Sequence, residues 1–249
     1  MALYVGTSGW SYPEWRATKN KPSRPAFYPE GLPPSRFLGH YAEVLSACEI
    51  NATFYRVQTR RTVAAWADST PPRFRFAAKA HRVLTHSASV APRGFVHTFL
   101  TDYLDSLTAL QSRLGAVFLQ FPPHRSRDDA GVLELLTVLG KSVPFAAEFR
   151  HDSWNVPEVG DALAALGGTL CVSDMGGAVP AAMPPGRIAY LRLRADRYGP
   201  EARGEWRDLV MAEALRRDVF VFTKHRAVAP RDPRGGLGLA LWLQAAGAR

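Results

Sequence analysis

Short apolar stretches rich in β-branched and aromatic residues recur at near-regular intervals along the chain. They fall at residues 3–7, 47–51, 74–80, 116–121, 145–150, 169–173, 188–194 and 219–224. Each has the length and composition of a buried strand. Between most of them the apolar residues return every three or four positions, the helical period. The clearest case spans 94–114, where Val96, Phe99, Leu100, Tyr103, Leu104, Leu107, Leu110 and Leu114 keep that spacing and Gly115 ends it. Further helices are predicted at 35–46, 62–69, 129–139, 156–166, 205–217 and 237–246, with Gly140 and Gly167 as stops. Between the sixth and seventh strands the pattern fails. Residues 176–186 read as a Gly/Pro-rich loop, so the sixth helix is expected to be short or missing.

Strand and helix alternating to a count of eight imply parallel pairing with right-handed crossovers. Eight units in 249 residues leave roughly 31 for each, the size of a βαβ unit. The expected fold is therefore α/β, a TIM-like (β/α)8 barrel forming one domain over residues 1–249. An open doubly wound sheet is the alternative. It usually carries a Gly-rich phosphate fingerprint after its first strand, and GTSGWS is not G-x-G-x-x-G. The longest connection, residues 8–34, holds Trp10, Tyr12, Trp15, Phe27 and Tyr28 and reads as an ordered flap.

Barrel strands alternate between the interior and the helix side. In the frame that points polar residues inward, Glu49 and Asn51 come from the second strand and Lys79 from the third. Gln120 comes from the fourth, Glu148 and Arg150 from the fifth, and Asp174 from just past the sixth. Arg192 and Arg194 come from the seventh and Lys224 from the eighth. All lie toward the C-terminal ends of their strands, where barrel enzymes carry their chemistry. Interior salt bridges that merely plug a barrel are the plain alternative. Ten polar residues at one mouth, however, cost desolvation that Val, Ile and Leu would not. Three carboxylates face five cations, a balance suited to an anionic ligand held by arginine forks.

Composition narrows the rest. Hydrophobic residues at 47% and charged residues at 21% exclude a disordered or fibrous chain. No stretch approaches the roughly 18 apolar residues of a membrane span, and the first residues lack the pattern of a signal peptide. Cys48 and Cys171 are too few for a disulfide framework and read as buried thiols in a reducing cytoplasm. The net charge of +9 comes from 31 basic against 22 acidic residues, and only five of the basic residues are lysines. Such a surface favours anionic partners, nucleic acid among them. His81, His151 and His225 lie near the ring, but no H-x-x-H or H-E-x-x-H spacing occurs. No metal and no cofactor are expected. There is no G-x-S-x-G elbow for a nucleophilic serine.

The blocks GTSGWSYPEW, FYPEGL, EINATFYR, FAAKAHRVLTH, LQFPP, AEFRHDSW and YLRLR resemble the DUF72 (YecE-like) family. The resemblance runs from Gly6 to about Tyr198, with a weaker tail through Phe222 to His225. It implies a TIM-barrel-like fold and supplies no reaction. Its motif positions fall on Gly6, Thr7, Ser8, Gly9 and Trp10; on Glu49, Asn51, Thr53, Phe54, Tyr55 and Arg56; and on Lys79, Thr85 and His86. They continue on Gln120, Pro122 and Pro123, on Glu148, Arg150, His151 and Trp154, and on Asp174, Tyr190, Arg192 and Tyr198. Two places depart from the pattern: Arg194-Ala195 stands where many members carry His-Gly, and 222–226 reads Phe-Thr-Lys-His-Arg.

The leading expectation is an enzyme, a hydrolase or lyase, acting on a small anionic, phosphorylated or nucleotide-like substrate. Glu49, Glu148 and Asp174 would carry acid–base chemistry. Ser8, Trp10, Tyr12, Asn51, Tyr55, Lys79, Gln120, Arg150, His151, Trp154, Arg192 and Lys224 would bind substrate. The alternative is a nucleic-acid-binding or repair-associated barrel without catalysis of its own, with weak, non-specific contacts and surface arginines such as Arg60 and Arg61 involved. An interaction scaffold ranks last, because it leaves the polar ring unexplained.

Overall fold

The computed structural model describes residues 1–17, 26–174, 178–225 and 229–247. Along the chain come β1 (Leu3–Ser8), α1 (Phe37–Val44), β2 (Ala47–Ile50), α2 (Ala52–Tyr55), α3 (Arg60–Asp68) and β3 (Arg75–Lys79). Next are α4 (Val83–His86), α5 (Gly94–Leu107), β4 (Leu114–Phe121), α6 (Ala130–Gly140), β5 (Phe145–Phe149) and α7 (Glu158–Ala165). The last are β6 (Gly168–Leu170), β7 (Val172–Asp174), β8 (Ile188–Leu193), α8 (Pro200–Ala214), β9 (Asp218–Thr223) and α9 (Gly236–Gly247). The strands form one parallel sheet in the order β6-β5-β4-β3-β2-β1-β9-β8-β7.

The two edges of this sheet are halves of one strand. β6 pairs with β5 and β7 pairs with β8, and only Cys171 separates them. The sheet is thus a nearly closed parallel barrel of the TIM type, as the alternating pattern predicts. The expected sixth strand at 169–173 is corrected to two short pieces. Cys171 still donates its N–H to Ala147 O at 2.8 Å, and beyond that point the chain leaves β5 for β8. The long predicted helix at 94–114 is also shorter. α5 ends at Leu107, residues 108–113 tighten into 3-10 turns with Gln111 at φ 53°, and Leu114 already belongs to β4. Leu110 keeps its buried position, so the apolar spacing continues where the α-helix does not. Among residues 178–187 of the sixth connection no helix forms; residues 175–177 lie outside the described part.

Inside the barrel small and large side chains face each other. Ala47, Ala77, Ala116 and Ala146 from β2 to β5 make room for Phe118, Tyr190, Phe220 and Phe222. Phe118 and Tyr190 stack at 5.2 Å. Gly6 allows β1 to close on β2, because a Cβ there would lie 1.9 Å from the Ala47 carbonyl oxygen. The outer core lies between strands and helices, where α5 buries Val96, Leu100, Tyr103 and Leu107 at helical spacing.

Most flap aromatics enter this outer core. Trp15, Phe27 and Tyr28 are buried, Tyr28 stacks on Phe37 at 4.0 Å, and the Trp15 indole donates to His225 O at 3.0 Å. Residues 18–25 of the flap lie outside the described part, Lys19 and Lys21 with them.

Candidate functional site

The sheet register decides which strand-end side chains share the barrel interior. Ser8 stands beside Glu49, Gln120 beside Glu148, and Arg192 beside Phe222; paired residues of parallel strands point the same way. The apolar interior ends at Arg192, whose guanidinium lies 4.4 Å from the Phe118 ring centroid. Arg192 Nε and Nη2 donate to Glu49 Oε2 and Oε1, both at 3.0 Å, and Nη1 donates to Glu148 Oε2 at 2.9 Å. One planar fork therefore ties β8 to β2 and β5 at once.

Glu49 is fully buried and saturated with donors. Tyr190 and Ser8 hydroxyls add bonds of 2.8 Å to Oε2 and Oε1. Burial alone would raise its pKa, but Arg192, Arg194 and the Tyr190 hydroxyl outweigh it and hold the carboxyl below the usual range. Glu148 behaves likewise, with burial opposed by Arg192, Gln120 and Arg150. Burial also works against the Arg192 charge, yet the flanking carboxylates keep that guanidinium more firmly charged than usual.

Around this triad stands a rim. Gln120 Nε2 donates to Glu148 Oε1 at 2.7 Å, and its Oε1 accepts from Lys79 Nζ at 3.0 Å. Lys79 also lies 4.6 Å from the Phe54 ring centroid. Its pKa is pushed down to about 8, chiefly by burial, with Arg192 and Arg150 adding to the effect and Glu49 and Glu148 opposing it. Arg194 Nη1 donates to Ser8 Oγ at 3.0 Å, and burial followed by the neighbouring Arg192 lowers its pKa. Arg150 Nε reaches Glu148 Oε1 at 3.2 Å while half its side chain is exposed. Ser8, Asn51, Phe54, Tyr55, Lys79, Gln120, Arg150, Arg192, Arg194 and His225 enclose a well of about 240 Å³.

A second cavity of about 810 Å³ adjoins it, and Arg150 lines both. It brings Glu148, Cys171 and Ser173 together with Phe149, Leu170, Trp154, Val156 and Pro157. Glu148 belongs with the barrel interior and Phe149 with the outer core, so this slot passes through the barrel wall where β5 and β7 part. Phe149 and Trp154 stack at 3.8 Å to form one side, and the Trp154 indole donates to Arg125 O at 2.9 Å. Burial pushes the Cys171 thiol well up, which keeps it protonated.

Several predicted site residues stand elsewhere. Asp174 is in register with Leu193, on the outer side, and takes a hydrogen bond from the Tyr198 hydroxyl; it does not line the well. Lys224 pairs with Asp196 at 2.5 Å on the surface. The ring thus loses one charge of each sign, leaving four cations and two carboxylates. His151 caps a 3-10 turn, its Nδ1 accepting from Ser153 N at 3.1 Å. Trp10 packs edge-on against Trp66. Tyr12 donates to Ser8 O and stacks on His225 at 3.9 Å, so it backs the well without lining it. Arg226, beside His225 in the divergent eighth connection, lies outside the described residues. Phe54 and Tyr190, which the sequence marks only as motif positions, and His225, which it offers only as a metal ligand, belong to this site as well. Among the described residues no three His, Cys, Asp or Glu side chains gather as a metal ion would require.

The family described as "Protein of unknown function DUF72" matches residues 4–241. The chain belongs to the DUF72 family. A UPF0759 protein, YunF, of Bacillus subtilis (strain 168) is 26% identical over 160 residues, which cover 62% of this chain and 53% of YunF. The chain thus matches about half the length of that relative. A crystal structure of a DUF72 protein from Thermotoga maritima superposes with a TM-score of 0.73, 25% identity and complete coverage of both chains. A DUF72 protein of Enterococcus faecalis gives 0.69 at 17% identity, covering 98% and 95% of the two chains. D-psicose 3-epimerase, solved in the presence of D-fructose, gives 0.55 at 13% identity over 86% and 85%. This last likeness speaks for the TIM-barrel fold alone. DUF72 membership fixes the scaffold and names no substrate. Among the described residues no helix is long and apolar enough to cross a membrane.

Proposed function

We propose that the barrel mouth binds a small anionic substrate and acts on it by acid–base chemistry. The observation that carries this reading is the charge count in the well. Both carboxylates are engaged by Arg192, while Lys79, Arg150 and Arg194 add three cations around the same cavity. A desolvated excess of positive charge is costly by itself and is offset when an anion enters. Arginine forks suit phosphate or carboxylate groups in particular. Of the two glutamates, Glu148 borders the slot and is the one placed to exchange a proton with a ligand there. Glu49 is enclosed and serves to hold Arg192.

Thermal shift against inorganic phosphate, phosphate esters, oxo acids and neutral sugars tests the reading. Anions at 100 times their dissociation constant should add about 2.7 kcal/mol of stability. Arg194→Ala should weaken that binding by tenfold or more, since a hydrogen bond to a charged group contributes about 1.5–3 kcal/mol. Stabilisation by neutral sugars alone would overturn it. The second reading, nucleic-acid binding, rests on the +9 charge. Arg60, one of its surface arginines, is tied to Asp105 and Thr108, which weakens that reading. Its signature would be affinity falling with salt at a log–log slope of about −0.9 per duplex phosphate contact.

A further inference from the structure

We infer that Lys79 is an imine-forming residue, so that the substrate class of the well is a small anionic carbonyl compound, an oxo acid or its aldehyde equivalent. This rests on the anion-binding reading and narrows it.

The geometry sets Lys79 apart from the other two described lysines. Its Nζ lines the well and donates to Gln120 Oε1. Among the described residues it makes no ion pair, because the nearby carboxylates are spent on Arg192. By contrast, Lys224 is paired with Asp196 and Lys141 is exposed to water. The groups facing Lys79 come from every side: Glu49 from β2, Glu148 and Arg150 from β5 and the residue after it, Arg192 from β8, and the Phe54 ring from α2. His86, in α4, feels Lys79 as a like charge. Burial and neighbouring cations together favour the neutral amine. At pH 7.5 an ordinary lysine is about 0.1% free amine, whereas one titrating near 8 is about a quarter free.

The rest of the well fits the step. Arg150 and Arg194 can hold the carboxylate of an oxo acid, which sets its carbonyl carbon beside Nζ. Lys79 gives one ammonium proton to water, the resulting amine attacks that carbon, and a proton from its nitrogen passes to the carbonyl oxygen to give a carbinolamine, whose hydroxyl then takes the first proton back. That oxygen then leaves as water, carrying two protons that began on the Lys79 ammonium. A C=N bond replaces C=O, the positive charge stays on the iminium nitrogen, and no oxidant or reductant is consumed. Gln120 has its amide oxygen on Lys79 and its amide nitrogen on Glu148. It fixes the amine's direction, because its other end is anchored on the Glu148 carboxylate.

The test treats the full chain with glyoxylate at pH 7.5, traps imines with borohydride and maps the adducts by mass spectrometry. Propanal serves as the uncharged control and inorganic phosphate as competitor. Glyoxylate should mark Lys79 at least about tenfold faster than Lys141, with a labelling midpoint near pH 8. Phosphate and Arg194→Ala should each slow that marking. Comparing lysines within the wild-type chain needs no variant to fold. Lys79→Met should abolish the adduct while the melting transition is kept. Anion-induced stabilisation without preferential marking of Lys79 would overturn the imine and leave the anion reading intact. Marking of Lys79 by propanal as fast as by glyoxylate, insensitive to phosphate, would overturn the anion reading instead.

Discussion

The well and the slot meet at Arg150 and are built by opposite means. The well lies where β4, β3, β2, β1, β9 and β8 form a continuous wall, so strand-end polar groups converge and bond to one another. The slot lies where the wall parts between β5 and β7, and the side chains it uncovers are mainly apolar. Closure gathers charge into a network that leaves little freedom to any member. Interruption opens space bounded by packed rings. One barrel thus carries a fixed polar well and a roomier, more apolar recess that share Arg150.

Four measurements would break or sharpen this comparison. The largest effect is expected from Arg192→Ala, which strands two buried carboxylates and should cost about 3–5 kcal/mol in urea unfolding. A loss under 1 kcal/mol would mean that water or another cation already serves Glu49 and Glu148. The same variant should change the acid limb. Glu49 and Glu148 have folded pKa values below the unfolded value. Their stabilisation is therefore present above the unfolded carboxylate pKa, near 4.3, and is lost as pH falls through the lowered folded values. Removing Arg192 should flatten that loss.

Next in size is Lys79. Its folded pKa of about 8 lies below the unfolded value, so between about 8 and 10.4 the unfolded chain binds more protons and stability rises with pH. The difference between wild type and Lys79→Met across that window should be at most about 3 kcal/mol. An identical pH dependence in both proteins would remove the ground for an unusual amine.

In the slot, Phe149→Leu should cost about 0.5–1.5 kcal/mol through the lost stack on Trp154, and it should leave the acid limb unchanged. An altered acid limb would show that slot and well are one electrostatic unit. The smallest effect belongs to Lys224→Ala, whose surface pair with Asp196 contributes about 0–1 kcal/mol. Anion-induced stabilisation of this variant should match that of wild type. A clear loss would return Lys224 to the site.

Much of this molecule is legible in the order of its residues. The eight apolar runs stand out because a parallel strand buried on both faces must be apolar throughout. Glu49, Lys79, Gln120, Glu148 and Arg192 stand out because a polar residue inside such a run has to face something. The outward position of Asp174 follows from strand parity. Cys171 and Ser173 take the inward positions, Ser173 being in register with Arg192, so the next residue points out. The break at Cys171 has no local signal, since 169–173 reads as an unbroken strand and the change of partner is decided by the strands on either side. Lys224 has inward parity but a long side chain, and Asp196 draws it to the surface. The hydroxyl of Tyr190 is equally silent, because Tyr and Phe fill a barrel alike until a buried carboxylate lies opposite.

The Arg192 fork has a consequence for time rather than for strength. Its bonds to Glu49 span 143 positions of the chain, and Tyr190 reaches Glu49 across 141. Contacts so remote in sequence carry a loop-closure cost that must be met before they form, which predicts that they form late in folding. Interactions absent from the folding transition state leave the rate of folding almost untouched and slow the rate of unfolding. The fork therefore acts as a latch on the lifetime of the native barrel. Weakening it with Glu49→Gln should steepen escape from the folded state while the refolding arm of the chevron stays where it was.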